Sequence, residues 1–395
     1  MLPEGWVKIK LGDLGRVKSG ATPLRSEGDR YFSDSGYPWV KTMDLNNGEI
    51  INTDECITDI ALKETSCSIF PKGTVLVAMY GGFNQIGRTG MLTKPSAVNQ
   101  AISAIQLSED RAHSQYVLAF LNGFVSKWKR FAASSRKDPN ITRDDVVGFP
   151  ILLPPLPEQK KIAQILSTWD NAISATERLL ENSQQRKKAL MQQLLTGKLR
   201  LPGFVGSWTE EKLGQLFHER NESGRLDLPL LSITSNNGVM YQDETGRKDT
   251  SSLDKKKYKR ICIGDIGYNT MRMWQGRSSI SDKEGVVSPA YTILKSTVKA
   301  NSSFFAYLFK HPKIVYLFYS RSQGLVSDTW SLKYKHFKNI TVSIPNLEEQ
   351  QAIANVLTTA DQEIDALQKR LDHLKLEKKA LMQQLLTGKR RVTLN

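Results

Sequence analysis

The sequence has few of the residues that build disulfide frameworks and metal centres. It contains three cysteines, Cys56, Cys67 and Cys262, and no Cys-x-x-Cys spacing. An odd number of thiols without that spacing argues against both a disulfide scaffold and a zinc site. The five histidines are scattered and have no metal-ligand spacing. The sequence therefore predicts no metal site and favours reduced cysteines that are small buried hydrophobic residues.

Long apolar runs are also missing. No apolar run approaches the ~18 residues that a membrane-spanning helix needs. The first residues lack the charged and then apolar pattern of a secretory signal. We therefore expect a cytoplasmic protein, and 395 residues leave room for two or three domains.

No catalytic constellation is apparent. Thr196-Gly197-Lys198 resembles the end of a phosphate-binding loop, but Gln192 stands where its first glycine belongs and Leu199 where Ser or Thr belongs. A left-handed helix cap explains Gly197 better. We expect a non-catalytic chain. A nuclease or methyltransferase with an unrecognised site is the competing hypothesis, and turnover by the purified chain would favour it.

What the sequence does contain is a duplication. Residues 187–198 (KKALMQQLLTGK) recur unchanged at residues 378–389, 191 positions later. A Trp…Lys-Leu-Gly-x-Leu segment that starts at Trp6 also returns at Trp208. Twelve consecutive identities in a stretch of mixed composition indicate an internal repeat, which should be considered before other features. The chain is two copies of one plan.

Each copy combines a mixed region with one long helix. Short strand-like runs at 75–80 and 101–105 and a helical stretch from 116 towards 128, separated by Gly and Pro, predict an α+β domain. The same plan, with diverged sequence, follows in the second half. We predict four parts: a globular domain at 1–155, a long helix at 156–198, a second globular domain at 199–345 and a second long helix at 346–390.

The two long helices have a heptad pattern. No Pro or Gly interrupts the chain from 158 to 196, which predicts a helix of about 60 Å. Apolar residues recur every 3.5 positions in both copies, as in a coiled coil. We predict that the two helices pair within the chain as an antiparallel coiled coil with pseudo-twofold symmetry; an intermolecular coiled coil is the alternative. The residues predicted to form these spacer helices and to contact partners are Glu158, Gln159, Ile162, Trp169, Leu190, Leu194, Glu349, Gln350, Ile353, Leu381 and Leu385.

The net charge of +15 indicates an acidic partner, with nucleic acid first. The excess is greatest in residues 202–344, where 21 Lys and Arg stand against 13 Asp and Glu. The densest run is residues 255–260, and a solvated loop explains such a run about as well as a phosphate site.

Two loops at corresponding positions carry side chains suited to reading bases. Arg binds guanine, Asn and Gln bind adenine, aromatic rings stack, and basic residues nearby hold phosphates. Core packing of the aromatic residues and turn formation by Asn84 are the competing interpretations. The predicted DNA-binding residues are Tyr80, Asn84, Gln85, Arg88, Lys129, Arg130, Arg136, Lys137, Lys256, Lys257, Arg272, Trp274, Gln275 and Arg277.

The sequence resembles the specificity subunit of type I restriction–modification systems. The resemblance rests on the Pro-Leu-Pro-Glu-Gln-x-x-Ile-Ala-x-x-Leu pattern at 155–166, its echo at 345–357 and the repeated Leu-Leu-Thr-Gly-Lys-x-Arg. It implies two target-recognition domains, each reading half of a split double-stranded DNA site, with paired helices that set the spacing.

The resemblance also implies partners. Modification subunits, two of them by our expectation, would dock on the helices and methylate adenine with S-adenosylmethionine, and restriction subunits would use ATP. No cofactor is expected in this chain itself. A stand-alone DNA-binding regulator with a coiled-coil hinge is the alternative function, and it would bind tightly without partners.

Overall fold

The computed structural model describes residues 2–82, 84–132, 140–234, 238–246, 254–325 and 329–394. The chain divides into two compact units: unit 1 is Met1–Glu177 with Arg370–Asn395, and unit 2 is Arg178–Lys369. Among the described residues, no helix combines the length and the apolar character needed to cross a membrane.

Unit 1 is built from many short elements. Its strands are β1 (Val7–Lys10), β2 (Gly15–Ser19), β3 (Phe32–Ser33), β4 (Tyr37–Val40), β5 (Glu49–Ile50), β6 (Cys56–Ile57), β7 (Val75–Ala78), β8 (Thr89–Leu92), β9 (Ala97–Val98), β10 (Ile102–Leu107) and β11 (Pro150–Leu153). Its helices are α1 (Asp59–Glu64), α2 (Ser114–Gly123), α3 (Val125–Ala132), α4 (Arg143–Val147) and the first part of α5 (Leu156–Leu194). The predicted helical stretch from 116 is therefore two helices, because the chain leaves helical geometry at Phe124.

Unit 2 repeats this plan. Its strands are β12 (Thr209–Lys212), β13 (Phe217–Glu219), β14 (Leu231–Ile233), β15 (Val239–Tyr241), β16 (Lys259–Ile261), β17 (Ile266–Asn269), β18 (Ser278–Ile280), β19 (Gly285–Val287), β20 (Tyr291–Ser296) and β21 (Thr341–Ile344). Its helices are α6 (Leu213–Leu216), α7 (Ser302–Leu308), α8 (Pro312–Arg321), α9 (Tyr334–Phe337) and the first part of α10 (Leu347–Leu385), which continues into unit 1.

The main sheets of the two units correspond. Unit 1 has the order β2-β10-β7-β8-β5, antiparallel except for the β5–β8 pair, and unit 2 has β13-β20-β17-β18, antiparallel throughout. In unit 1, Val75 and Val77 of β7 belong to the larger core, whereas Leu76 and Ala78 belong to a second core on the opposite face. Burial on both faces explains why this strand is apolar throughout and does not alternate.

The start of each long helix is anchored by a buried glutamine. In unit 1 the Gln159 side-chain oxygen accepts the His113 N–H at 2.9 Å, and its amide donates to the carbonyls of Pro154 and Arg111 at 2.9 and 3.0 Å. The side chain is 1% exposed, and its oxygen and its amide group are both hydrogen-bonded, as buried polar groups require. The glutamine joins α5 to the start of α2 and to the strand that precedes α5.

Unit 2 repeats this anchor at Gln350. Its oxygen accepts the Asn301 N–H at 2.9 Å, and its amide donates to the carbonyls of Pro345 and Lys299 at 3.0 and 3.2 Å. The same three bonds made by side chains 191 positions apart show that the repeat extends to hydrogen-bond geometry.

A buried glutamate stands beside each glutamine. Glu158 is 1% exposed, accepts the Trp6 indole N–H at 3.1 Å and forms a two-pronged ion pair with Arg391 at 2.8 and 2.9 Å. Glu349 is equally buried and pairs with Arg200 at 2.5 and 2.7 Å. Bidentate bonds of this kind are among the stronger polar contacts in proteins. We call each buried glutamate with its arginine partner and the neighbouring glutamine a helix joint.

The end of each long helix is a left-handed glycine cap, as predicted for Gly197. Gly197 has φ +67° and Gly388 has φ +72°. The N–H groups of Leu199 and Arg390 return to carbonyls of the last turn, at Gln193 and Gln384, both at 3.2 Å. These bonds satisfy carbonyls that the helix would otherwise leave open.

The two caps should differ in their tolerance of substitution. A Cβ at Gly388 would lie 2.6 Å from Pro3 Cγ, and one at Gly197 would lie 3.2 Å from the Trp208 ring, whereas Gly203, with φ +90°, has open space. We expect Gly203→Ala to cost about 1–2 kcal/mol of unfolding free energy through its left-handed φ alone. Urea unfolding should rank Gly388→Ala as the most costly of the three and Gly203→Ala as the least. Equal losses would show that the packing at the caps is not tight.

The helix joint of unit 1 should contribute measurably to the stability of the protein. Arg391→Met leaves the buried Glu158 carboxylate without its ion-pair partner, at a cost of about 1–3 kcal/mol. The matched control is Arg390→Met, because Arg390 is exposed and adjacent. Urea unfolding should show a loss for the first variant and little change for the control. Equal stability of the two variants would show that the Glu158–Arg391 ion pair does not stabilise the protein.

Candidate nucleic-acid interface

A loop follows the central strand of each unit and is held in the same way in both. In unit 1 it joins β7 to β8, and Gly87, at φ +73°, lies so close to Trp128 of α3 that a Cβ would come within 2.5 Å of the indole. In unit 2 it joins β17 to β18, and Gly276, at φ +74°, lies against Val315 of α8. Only a residue without a side chain fits these approaches easily.

A returning segment closes the base of each loop. The Ile141 N–H donates to the Met79 carbonyl at 3.0 Å in unit 1, and the Leu332 N–H donates to the Thr270 carbonyl at 2.9 Å in unit 2. Both pairs of residues are separated by 191 positions from their counterparts. The two loops therefore stand on equivalent supports, and their side chains differ.

The unit 1 loop brings several predicted side chains to the surface. Tyr80 is 42% exposed, Asn84 is exposed and Arg88 is half-buried. Gln85 is half-buried and its amide lies 3.4 Å from the sulfur of the exposed Met43. No sequence pattern singled out Met43, because it lies in a 3₁₀ turn far from this loop in the sequence.

Helix α3 brings basic residues beside that loop. Lys129 and Arg130 are both on α3, and Arg130 is exposed. Desolvation, with the nearby charges of Lys8 and Arg130, lowers the pKa of Lys127 on the same helix. Trp128 is fully buried and stacks on Phe149 at 3.9 Å, which confirms the core interpretation for this residue. The remaining two predicted residues, Arg136 and Lys137, lie outside the described residues.

The unit 2 loop carries a different set. Gln275 and Arg277 are exposed, and Arg272 and Trp274 are half-buried. The Trp274 indole N–H donates to the Met271 carbonyl at 3.0 Å, which fixes the orientation of its ring. The loop therefore presents two guanidinium groups, one amide and one oriented aromatic ring.

An aromatic cluster next to this loop was not predicted. Trp274 packs edge-to-face on Trp330 at 5.4 Å, and Trp330 packs on Tyr319 of α8 at 5.0 Å. Tyr319 is 44% and Tyr316 is 66% exposed. The i, i+3 spacing of these tyrosines puts them on one helix face, a signal that was available in the sequence.

Only part of the basic run at 255–260 is available to contact DNA phosphates. Arg260 is held by Glu222 at 2.8 Å and by Glu284 at 2.8 Å, and Lys259 is 3.4 Å from Glu219. Lys256 and Lys257 are exposed. They precede β16, which pairs with β19 in a different sheet from the loop strands. The positive charge of this run could be predicted from the sequence. Its partial neutralisation by acidic residues distant in the sequence could not.

The residues predicted for the long helices are mostly buried. Glu158, Gln159, Glu349 and Gln350 form the joints described above. On the apolar seam, Ile162, Leu194, Ile353 and Leu385 are buried, and Trp169, Leu190 and Leu381 are half-buried. Among the described residues no group of three or more His, Cys, Asp or Glu is placed to hold a metal ion.

The sequence of this chain is similar to those of known proteins. A sequence model described as "Type I restriction modification DNA specificity domain" matches residues 3–182 and again 208–376. The chain is 25% identical to the putative type I restriction enzyme MjaX specificity subunit of Methanocaldococcus jannaschii, over 99% of this chain and 95% of that protein. It is also 25% identical to the MjaVIII specificity subunit of the same organism, over 99% and 94%.

Solved structures share the fold. The type I restriction–modification S subunit from M. genitalium matches with a TM-score of 0.62 at 15% identity, over 98% of this chain and 97% of that one. The HsdS subunit from Thermoanaerobacter tengcongensis matches with a TM-score of 0.52 at 17% identity, over 98% of both chains. Because the two matched segments of the family together cover most of the sequence, this chain belongs to the family of type I restriction–modification DNA specificity proteins.

Proposed function

We propose that this chain is the DNA sequence-specificity subunit of a type I restriction–modification complex, in which each unit reads one half of a bipartite site. The observation that carries the proposal is the duplicated loop, held on equivalent supports with different side chains in the two units. Family membership and the M. jannaschii specificity subunits similar over almost the whole chain support it.

The side chains of the loops suit direct readout in the major groove. Arg272 and Arg277 of unit 2 provide the donors that pair with guanine, and Gln275 can pair with adenine. Asn84 of unit 1 has the same adenine chemistry, and the exposed ring of Tyr80 in the same loop provides an apolar surface. Since the two loops differ in composition, we infer that the two half-sites differ in sequence.

The long helices would set the distance between the two readers. We infer that α5 and α10 pair as an antiparallel coiled coil between recognition domains at 1–155 and 199–345. Support comes from ion pairs inside each unit: Asp170 of α5 with Lys378 of α10 in unit 1, and Lys187 of α5 with Asp361 of α10 in unit 2. The earlier of these two α5 residues pairs with the later of the two α10 residues, and the later with the earlier, as in an antiparallel pair.

The chemistry would belong to partner subunits. We propose that modification subunits, two for the two repeats, dock on the helices and methylate adenine with S-adenosylmethionine, and that restriction subunits use ATP. This chain would contribute recognition and assembly without catalysis, in the cytoplasm where the DNA lies.

The base-reading role of the unit 2 loop is open to a direct test. We expect Arg277→Ala to relax one half-site by about 1–3 kcal/mol of discrimination, because a bidentate guanine contact is lost. The measurement is sequencing of methylated adenines in a host that carries this chain with its modification subunit. Lys295→Ala, at an exposed position on β20, is the matched control and should leave both half-sites unchanged. Relaxation of both half-sites, or of neither, would contradict the assignment of one half-site to each unit.

The spacing role requires a different change. Inserting four residues after Glu177 and four after Lys369 adds one turn, about 6 Å, to each helix and preserves the ion pairs inside the units. At about 3.4 Å per base pair, the gap between the half-sites should lengthen by one or two base pairs while both half-sites stay the same. A control with insertion into one helix alone should give no ordered pairing. Methylated sites with the original gap would overturn the spacer role.

A further inference from the structure

An open groove lies beside α5 in unit 1. It has a volume of about 460 Å³ and is lined by residues 46–49 and 51, α2, α5 and the last part of α10. Asp170 and Lys378 form an ion pair in it, and Ser167 and Met382 lie beside them. Ala119 of α2 contributes only a methyl group to the wall. The groove therefore has walls of charged, polar and apolar side chains, among them Leu118 and Leu166, around a space that this chain leaves open.

Unit 2 contains the same arrangement with that space filled. The N–H of His113 and the N–H of Asn301 both donate to the buried glutamine of their unit, which aligns α2 with α7. Six positions further along, α7 has Tyr307 where α2 has Ala119. The repeat thus shows what a filled groove looks like.

The contacts of Tyr307 define a site for a phenol. Its hydroxyl donates to Asp361 at 2.7 Å and lies 3.3 Å from the Thr358 hydroxyl, while the Lys187 ammonium is 5.5 Å from the ring centroid. Burial raises the pKa of Tyr307, so the hydroxyl keeps its proton and donates it. A carboxylate acceptor and a cation on the ring face are both favourable for a tyrosine ring.

Each of these partners has a counterpart in the unit 1 groove, 191 positions away. Ser167 corresponds to Thr358, Asp170 to Asp361 and Lys378 to Lys187. The Lys378 and Lys187 side chains are exposed to a similar degree, 21% and 22%. The acid differs, since the Asp170 side chain is 57% exposed and that of Asp361 is 38% exposed. The carboxylate of unit 1 thus lacks the covering that the tyrosine provides in unit 2.

We propose that the unit 1 groove accepts a tyrosine side chain presented by a partner protein chain. The phenol would donate to Asp170 and lie beside Lys378, as Tyr307 does with their counterparts. A partner chain fits better than a free small molecule because the groove is open, and the exposed Asn171 and Ser174 at its rim can bond to a peptide backbone. That the partner is the modification subunit rests on the proposed function, and it makes docking on the two units unequal.

The first test uses N-acetyltyrosinamide as the probe on the full chain. Met382 lines the groove, and its counterpart Met191 packs against the core of unit 2, as Tyr307 does. With methionine methyl groups labelled with ¹³C, the probe should shift the Met382 signal and leave the Met191 signal in place. Ala119→Tyr should abolish the shift because it fills the groove from within.

A second variant tests the chemistry without filling the space. Asp170→Asn removes the charged acceptor and should weaken the tyrosine probe several-fold, while N-acetylphenylalaninamide should bind the wild type and the variant alike. A wild-type Met382 signal that does not respond, or an Ala119→Tyr variant that responds like the wild type, would overturn the proposal.

The partner is tested with the modification subunit. Ala119→Tyr should weaken its binding to this chain by about tenfold or more, as loss of an aromatic anchor does at protein interfaces. Val298→Tyr, at a 90% exposed position in unit 2, adds the same side chain elsewhere and should have no effect. If Ala119→Tyr binds the subunit normally and the complex methylates its usual sites, the groove proposal fails and the proposed function stands. A wild-type complex that assembles without sequence-specific methylation would contradict the proposed function instead.

Discussion

The structure depends on a buried carboxylate at the start of each long helix. Glu158 and Glu349 are each 1% exposed, and a carboxylate in that environment is unfavourable unless it is paired and hydrogen-bonded. Each is paired with an arginine from just beyond the end of the other long helix, Arg391 and Arg200 respectively. The start of one helix and the end of the other are therefore fixed to each other inside each unit. Any change at one of these ends has to be accommodated by the other.

This constraint explains which parts of the two repeats are alike. The joint residues, the glycine caps and the Lys–Asp pairs recur at the same spacing, because each makes contacts that tolerate little change in position. The loops after β7 and β17 share only their supports, Gly87 on Trp128 and Gly276 on Val315. A fixed frame with two variable loops is what a protein requires if its halves are to recognise different DNA sequences.

Much of the frame could be predicted from local pattern. The lengths of α5 and α10, the Gly197 cap and the strand at β7 follow from apolar periodicity, from helix-terminus chemistry and from a short apolar run bounded by turn residues. The role of Glu158 was predicted only in part. Its place at a positive helix end follows from the sequence, whereas its bonds with Trp6 and Arg391 join residues 152 and 233 positions away, and no local pattern contains them.

The candidate site shows the same limit. Exposure of Arg277 and Asn84 agrees with their loop positions, but the pairing of Arg260 with Glu222 and Glu284 depends on strands distant in sequence. We infer that two independent recognition units share one scaffold. Mapping methylated adenines in a host that carries this chain with its modification subunit tests it most directly. We expect a site of two different half-sites separated by a gap of fixed length and unspecified sequence. One continuous recognition sequence without a gap would contradict it.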